Sequence, residues 1–173
     1  MKKISRLLAA LPSLALPLFL AVLLPILMTG TAAAQTLRIT NGTSSNFSSG
    51  TFDYGGVYVG FTNGVLDSNN LTVVNTNTLL NILFPLSVGV SGASNSLVIS
   101  NGGTVQNDVG TIGDNSTASN NWVLVTGTNS LWKNSGDLLV GHAGAGNSLT
   151  KAGAGTLILS AANTYSGTTT TAA

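Results

Sequence analysis

The side chains able to move a proton or hold a metal ion are few. They are five aspartates (Asp53, Asp67, Asp108, Asp114 and Asp137) and one histidine, His142; there is no glutamate and no cysteine. Hydrolysis of a glycosidic bond asks for two carboxyl groups at a set separation. Asp108 and Asp114 are close enough in sequence to share a face, but no basic partner accompanies them. All five aspartates lie in turn-like contexts near Gly, Asn or Ser, where an Asp side chain bonds its own backbone. One histidine without cysteine falls short of the three or four protein ligands of a zinc site. As a general base, His142 would have to find an aspartate and an oxyanion hole elsewhere in the fold. The run Gly141-x-x-Gly144-x-Gly146 has the look of a phosphate loop, but a strand-like segment follows where the dinucleotide fingerprint needs a helix, and the P-loop lysine is missing. No cofactor, metal ion or catalytic residue is expected.

Among the aromatic residues, Tyr54, Tyr58, Trp122, Trp132 and Tyr165 could touch a carbohydrate or a surface. Exposed rings mark an interface when they cluster. Trp122 opens the apolar run Val123-Leu124-Val125, so at least one ring is expected inside the fold, and Tyr165 is expected at a turn.

The elements that must position these residues repeat. A β-branched residue precedes a glycine at Val59-Gly60, Val88-Gly89, Ile112-Gly113 and Val140-Gly141. After each glycine comes an Asn-led apolar run: Asn70-Leu71-Thr72-Val73, Asn95-Ser96-Leu97-Val98-Ile99, Asn121-Trp122-Val123-Leu124-Val125 and Asn147-Ser148-Leu149. A third short run closes each copy: Leu79-Leu80, Thr104-Val105, Leu131-Trp132 and Thr156-Leu157-Ile158-Leu159. The interval from one of these glycines to the next falls within the period of roughly 20–50 residues that signals a solenoid or array. Short runs rich in Val, Leu, Ile and Thr and bounded by Gly, Asn and Ser read as strands; no helical periodicity with caps follows Ala34. Three strands per repeat predict an all-β, parallel β-helix. A β-sandwich also shows closely spaced strands, but it does not require four copies with the same internal order.

Composition narrows the function. With 43% hydrophobic residues and only 6% charged ones, the chain is unlike a disordered segment. It also lacks the basic stripe that nucleic acid binding needs. Lys2, Lys3 and Arg6 precede the uncharged stretch Leu7 to Met28, and Ala32-Ala33-Ala34 follows. This is the plan of a secretory leader, with cleavage expected between Ala34 and Gln35. A stretch of that length could instead stay as a membrane anchor, although Pro12, Pro17 and Pro25 interrupt it. The leader implies Sec-type export machinery as a partner. Without cysteine, the exported part relies on burial and backbone pairing rather than disulfides.

The segment Leu149 to Thr169 resembles the autotransporter-associated β-strand repeat, also called the passenger-associated transport repeat. The likeness rests on Lys151, Gly153, Gly155-Thr156-Leu157 and Asn163-Thr164-Tyr165-Ser166-Gly167. Upstream, Val125 to Gly141, with Trp132-Lys133-Asn134-Ser135-Gly136-Asp137-Leu138, is similar to repeats of such passenger proteins. The resemblance implies a right-handed parallel β-helix, exported across the inner membrane and then carried through the outer membrane by a C-terminal barrel of the same chain. No barrel fits before Ala173, since one needs at least eight strands; a truncated passenger is therefore expected, or else a fragment or a passenger-like protein exported by another route. The expected organisation is a signal peptide over 1–34, an N-terminal cap or loop over 35–54 with one poor strand, and a β-helix over 55–173. The expected function is a secreted or surface module of a Gram-negative-type bacterium. It would be structural or adhesive, with a surface or glycan ligand and no small-molecule cofactor. The alternative is a polysaccharide lyase or hydrolase on the same scaffold.

Overall fold

The computed structural model describes residues 35–61 and 68–172, and among them there is no helix. The leader, including Ala34, and Asp67 lie outside the described residues. Seventeen short strands follow one another, three to a coil. The first coil holds β1 (Thr36–Ile39), β2 (Ser44–Phe47) and β3 (Gly50–Tyr54). The second holds β4 (Gly56–Val59), β5 (Asn70–Val74) and β6 (Thr78–Ile82), and the third β7 (Leu86–Val88), β8 (Ser96–Ser100) and β9 (Thr104–Asn107). The fourth holds β10 (Gly110–Ile112), β11 (Trp122–Thr126) and β12 (Leu131–Asn134), and the fifth β13 (Leu138–Val140), β14 (Ser148–Ala152) and β15 (Thr156–Leu159). A sixth coil begins with β16 (Thr164–Tyr165) and β17 (Thr168–Thr171).

Each strand pairs in parallel with its equivalent one coil away, giving three sheets in the orders β1-β4-β7-β10-β13-β16, β2-β5-β8-β11-β14-β17 and β3-β6-β9-β12-β15. This is a parallel β-solenoid, as the repeat predicts. The four copies read in the sequence are coils two to five. Residues 36–54, expected as one poor strand and a capping loop, instead carry three strands paired with the second coil. Their polar, Ser/Thr-rich sequence hides the period because only every second residue of a strand faces the core.

The core is a set of vertical rows, one residue per coil. Leu71, Leu97, Val123 and Leu149 form one, and Leu80, Val105, Trp132 and Leu157 another. Ile39, Val59, Val88, Ile112 and Val140 form a third. Nearly all of these side chains are excluded from water, Leu157 being partly buried. At the first coil the rings widen to cover the core. Phe47 lies 4.4 Å from Phe52 and 6.2 Å from Tyr54, between ring centroids. Burial raises the Tyr54 phenol above its ordinary pKa, because the interior disfavours phenolate. The unfolded chain therefore ionises first, and the stability this group contributes is complete below about pH 10 and lost as pH rises through the folded value. Alkaline unfolding monitored by tyrosinate absorbance should soften on Tyr54→Phe.

Of the two tryptophans, Trp132 fills the interior at 1% exposure, while Trp122 is 39% exposed on an outer face. Sequence alone ties Trp122 to an apolar run, but alternation along β11 turns Val123 and Val125 inward and the ring outward. The Trp132 indole Nε1–H donates to Asn107 Oδ1 at 2.6 Å, Asn107 Nδ2 donates to Asn134 Oδ1, and Asn134 Nδ2 donates to the Gly136 carbonyl at 2.6 Å. Trp132→Phe should cost about 1–3 kcal/mol, since it strands a buried amide oxygen. Trp122→Phe should stay within about 0.5 kcal/mol, as exposed substitutions do. Urea unfolding of the two variants checks the difference.

Candidate functional site

The terminal repeat explains itself residue by residue. Lys151 continues the inward row Val73, Ile99, Val125. Its stem lies half-buried over the core and its Nζ donates to the Ala172 carbonyl at 3.4 Å, the usual compromise of a long cationic side chain. Gly153 turns the chain at a φ of 55°, and Gly155 lies so close over the Val125 carbonyl that a Cβ would stand 2.9 Å from its oxygen. Thr156 N–H donates to the Ser130 carbonyl at 2.8 Å, and Leu157 stacks over Trp132. Asn163 Oδ1 accepts the Leu138 N–H at 3.0 Å, and its Nδ2 donates to the Ala161 carbonyl at 2.7 Å. Thr164 pairs with Leu139. Tyr165 continues a core row over Val140, on a strand rather than at the expected turn, and is 41% exposed.

Ser166 and Gly167 close a ladder that runs through the molecule. Asn69, Asn95, Asn121 and Asn147, each 26 residues from the next, are stacked and at most 1% exposed. The Oδ1 of Asn95 accepts both the N–H (3.0 Å) and the Nδ2 (2.8 Å) of Asn69, and the pattern repeats from Asn95 to Asn121 and from Asn121 to Asn147. Below, Thr43 N–H donates to Asn69 Oδ1 at 3.0 Å. At the upper end, Asn147 Nδ2 turns to the Gly144 carbonyl at 2.7 Å. Gly167 lies over the Asn147 backbone, where a Cβ would overlap the carbonyl, and Ser166 Oγ donates to the Gly141 carbonyl. The rung in the second coil is Asn69, rather than the Asn70 with which the apolar run there begins. The constant interval of 26 residues between rungs is a sharper signal than the glycines, whose spacing varies with the intervening loops.

The candidate chemical residues do not assemble. Asp108 and Asp114 flank opposite ends of β10 and face different neighbours. Asp108 meets Ser135, whose Oγ donates at 3.4 Å, while Asp114 Oδ1 lies 3.0 Å from His142 Nδ1 across one coil. The His–Asp pair is exposed, at 55% and 38%, and the His142 ring makes no other hydrogen bond among the described residues. Asp53 accepts from Asn81 Nδ2 at 2.9 Å. Gly141, Gly144 and Gly146 form a turn over the neighbouring coil, as their sequence context predicts. Among the described residues, no group of three His, Asp or Glu side chains could share a metal ion. Gln35, the residue after the expected cleavage point, accepts the Gly55 N–H at 2.8 Å through its carbonyl.

A shallow groove of about 200 Å³ lies at the C-terminal ends of β6, β9 and β12. Its residues Asn81, Gln106 and Lys133 stand one above another on successive coils. Nothing local in the sequence singles out the first two.

The family model of the passenger-associated transport repeat matches residues 149–171. No curated protein and no solved structure matches the chain. The matched stretch spans β14 to β17, which stack in register on the preceding coil. Residues 149–171 thus match the passenger-associated transport repeat and sit on a parallel β-solenoid, an arrangement that fits an autotransporter passenger-type module.

Proposed function

We propose that this chain works outside the cytoplasm of a Gram-negative bacterium, as a secreted or cell-surface interaction module of the autotransporter passenger type. It is adhesive rather than catalytic, and its leader takes it to the Sec-type machinery. The observation that carries this reading is the transport repeat itself, stacked in register as the continuation of the solenoid. The low charge supports it as well: with only 6% charged residues, the coils offer mostly uncharged side chains for many weak contacts along their length.

The test is to express the full chain with an epitope tag in a Gram-negative host. Export from the cytoplasm is expected, with a mature N-terminus at Gln35 and, when an outer-membrane barrel is joined after Ala173, tag removal by external protease. Retention of the intact chain in the cytoplasm sinks the reading. Cells displaying the chain should also adhere to a surface or to other cells more than cells without it. Depolymerisation of an acidic polysaccharide that disappears on Asp108→Asn or Asp114→Asn would replace it with the enzymatic one.

A further inference from the structure

We propose that the groove along the β6-β9-β12 sheet binds a linear, uncharged polysaccharide lying parallel to the solenoid axis; this names a ligand class for the interaction module proposed above and rests on that reading. One wall is the outward row Asn81, Gln106 and Lys133, in register across three coils. The other wall is Leu83, Asp108 and Ser135, two residues further along the same three coils. Parallel strands stack about 4.8 Å apart, so each wall offers one side chain per rung at a regular interval along the axis. A ligand matched to that spacing is itself a linear repeat.

The chemistry of the walls selects its class. Amides, a hydroxyl, one ammonium and one carboxylate supply both donors and acceptors, which suits the hydroxyl groups of a sugar chain. Lys133 and Asp108 balance each other in charge, and Asp53, bonded to Asn81 at the end of the row, adds a negative charge, so the groove has nothing to favour a polyanion. Leu83 and the adjacent Phe84 are exposed at 56% and 62%. Backbone bonds from their N–H groups to the carbonyls of Tyr54 (2.9 Å) and Gly55 (2.8 Å) hold them in place, giving the rim an apolar patch for the C–H face of a sugar ring. The volume is below the ~300 Å³ at which enclosed small-molecule sites begin, and an open groove that passes a chain through does not need more. An extended peptide would dock by adding to a strand edge. The edges of β6, β9 and β12 are already paired on both sides, so only side chains are on offer.

Purified full-length mature protein should be titrated with soluble oligomers of cellulose, mannan, xylan and dextran, and with polygalacturonate as the acidic comparator. Binding to at least one neutral oligomer is expected, weakened about five- to tenfold by Gln106→Ala and by Lys133→Ala, each removing one hydrogen bond to a neutral ligand. Neither side chain belongs to the core or the asparagine ladder, and unchanged circular dichroism confirms the fold of each variant. No binding to any neutral oligomer, or tighter binding of polygalacturonate, overturns the proposal. So does loss of binding on Trp122→Ala with Gln106→Ala unaffected, which would move the contact to the β5-β8-β11 face. Binding by purified protein does not depend on export, so a chain that binds but is never exported refutes the surface reading alone.

Discussion

Asn121→Ala should unfold the solenoid at a far lower urea concentration than any substitution on its outer faces. The Asn121 amide accepts two hydrogen bonds, from the N–H of Asn95 at 2.8 Å and from its Nδ2 at 2.9 Å, and gives one to Asn147 at 3.0 Å. Alanine removes all three and leaves two donors on Asn95 without partners in a residue that is 0% exposed. A buried polar group left unsatisfied costs about 1–3 kcal/mol, so the loss should be about 3 kcal/mol or more, against a total that is typically ~5–15 kcal/mol. Asn121→Asp should be no better, because a carboxylate cannot give the hydrogen bond to Asn147 and buries a charge. Asn70→Ala is the control: its side chain stands next to the ladder on the half-buried outer face, donating to Ser96 Oγ and accepting from Thr72 Oγ1, so a smaller loss of about 1–2 kcal/mol is expected. Equal midpoints for Asn121→Ala and Asn70→Ala would show that the ladder does not hold the coils together.

The second large effect is Gly89→Ala, judged against Gly153→Ala. Both glycines have positive φ, 79° and 55°, where a side chain costs roughly 1–2 kcal/mol. They differ in surroundings. A Cβ on Gly153 meets nothing within 4 Å, whereas a Cβ on Gly89 overlaps the whole Asn121 amide. Gly153→Ala should therefore show the backbone term alone, and Gly89→Ala should add displacement of a ladder rung, for a total of about 4 kcal/mol or more. Gly60 and Gly113 bear the same relation to Asn95 and Asn147 and should behave alike. Thermal or urea midpoints of the four variants are the measurement, and a Gly153→Ala variant as damaged as the others would refute the steric account.

These contacts explain why some features are legible in the sequence and others are not. The β-branched residue before each of Gly60, Gly89, Gly113 and Gly141 is a local pattern: the apolar side chain faces the core and the glycine turns the corner. What Gly60, Gly89 and Gly113 make room for is an asparagine one coil away, and no local rule states that pairing. The Asp114–His142 contact escapes for the same reason, since its partners are 28 residues apart and meet only because the coils stack. Tyr165 looks like a turn residue beside Ser166-Gly167, yet the register set by Val140 puts it on a core row. Tyr54 and the first coil are obscured by their polar neighbours, where the core-facing residues are too sparse to mark a repeat.

By itself, then, the sequence determined the period, the strand-and-turn alternation and the terminal transport repeat, because strand alternation and glycine turns act over short stretches of chain. The tertiary structure decided which asparagines lie inside, which tryptophan fills the core, and which polar side chains line a common groove. Those outcomes depend on vertical register, fixed only when side chains a full coil apart along the chain are brought to the short spacing of paired strands and must satisfy one another's hydrogen bonds.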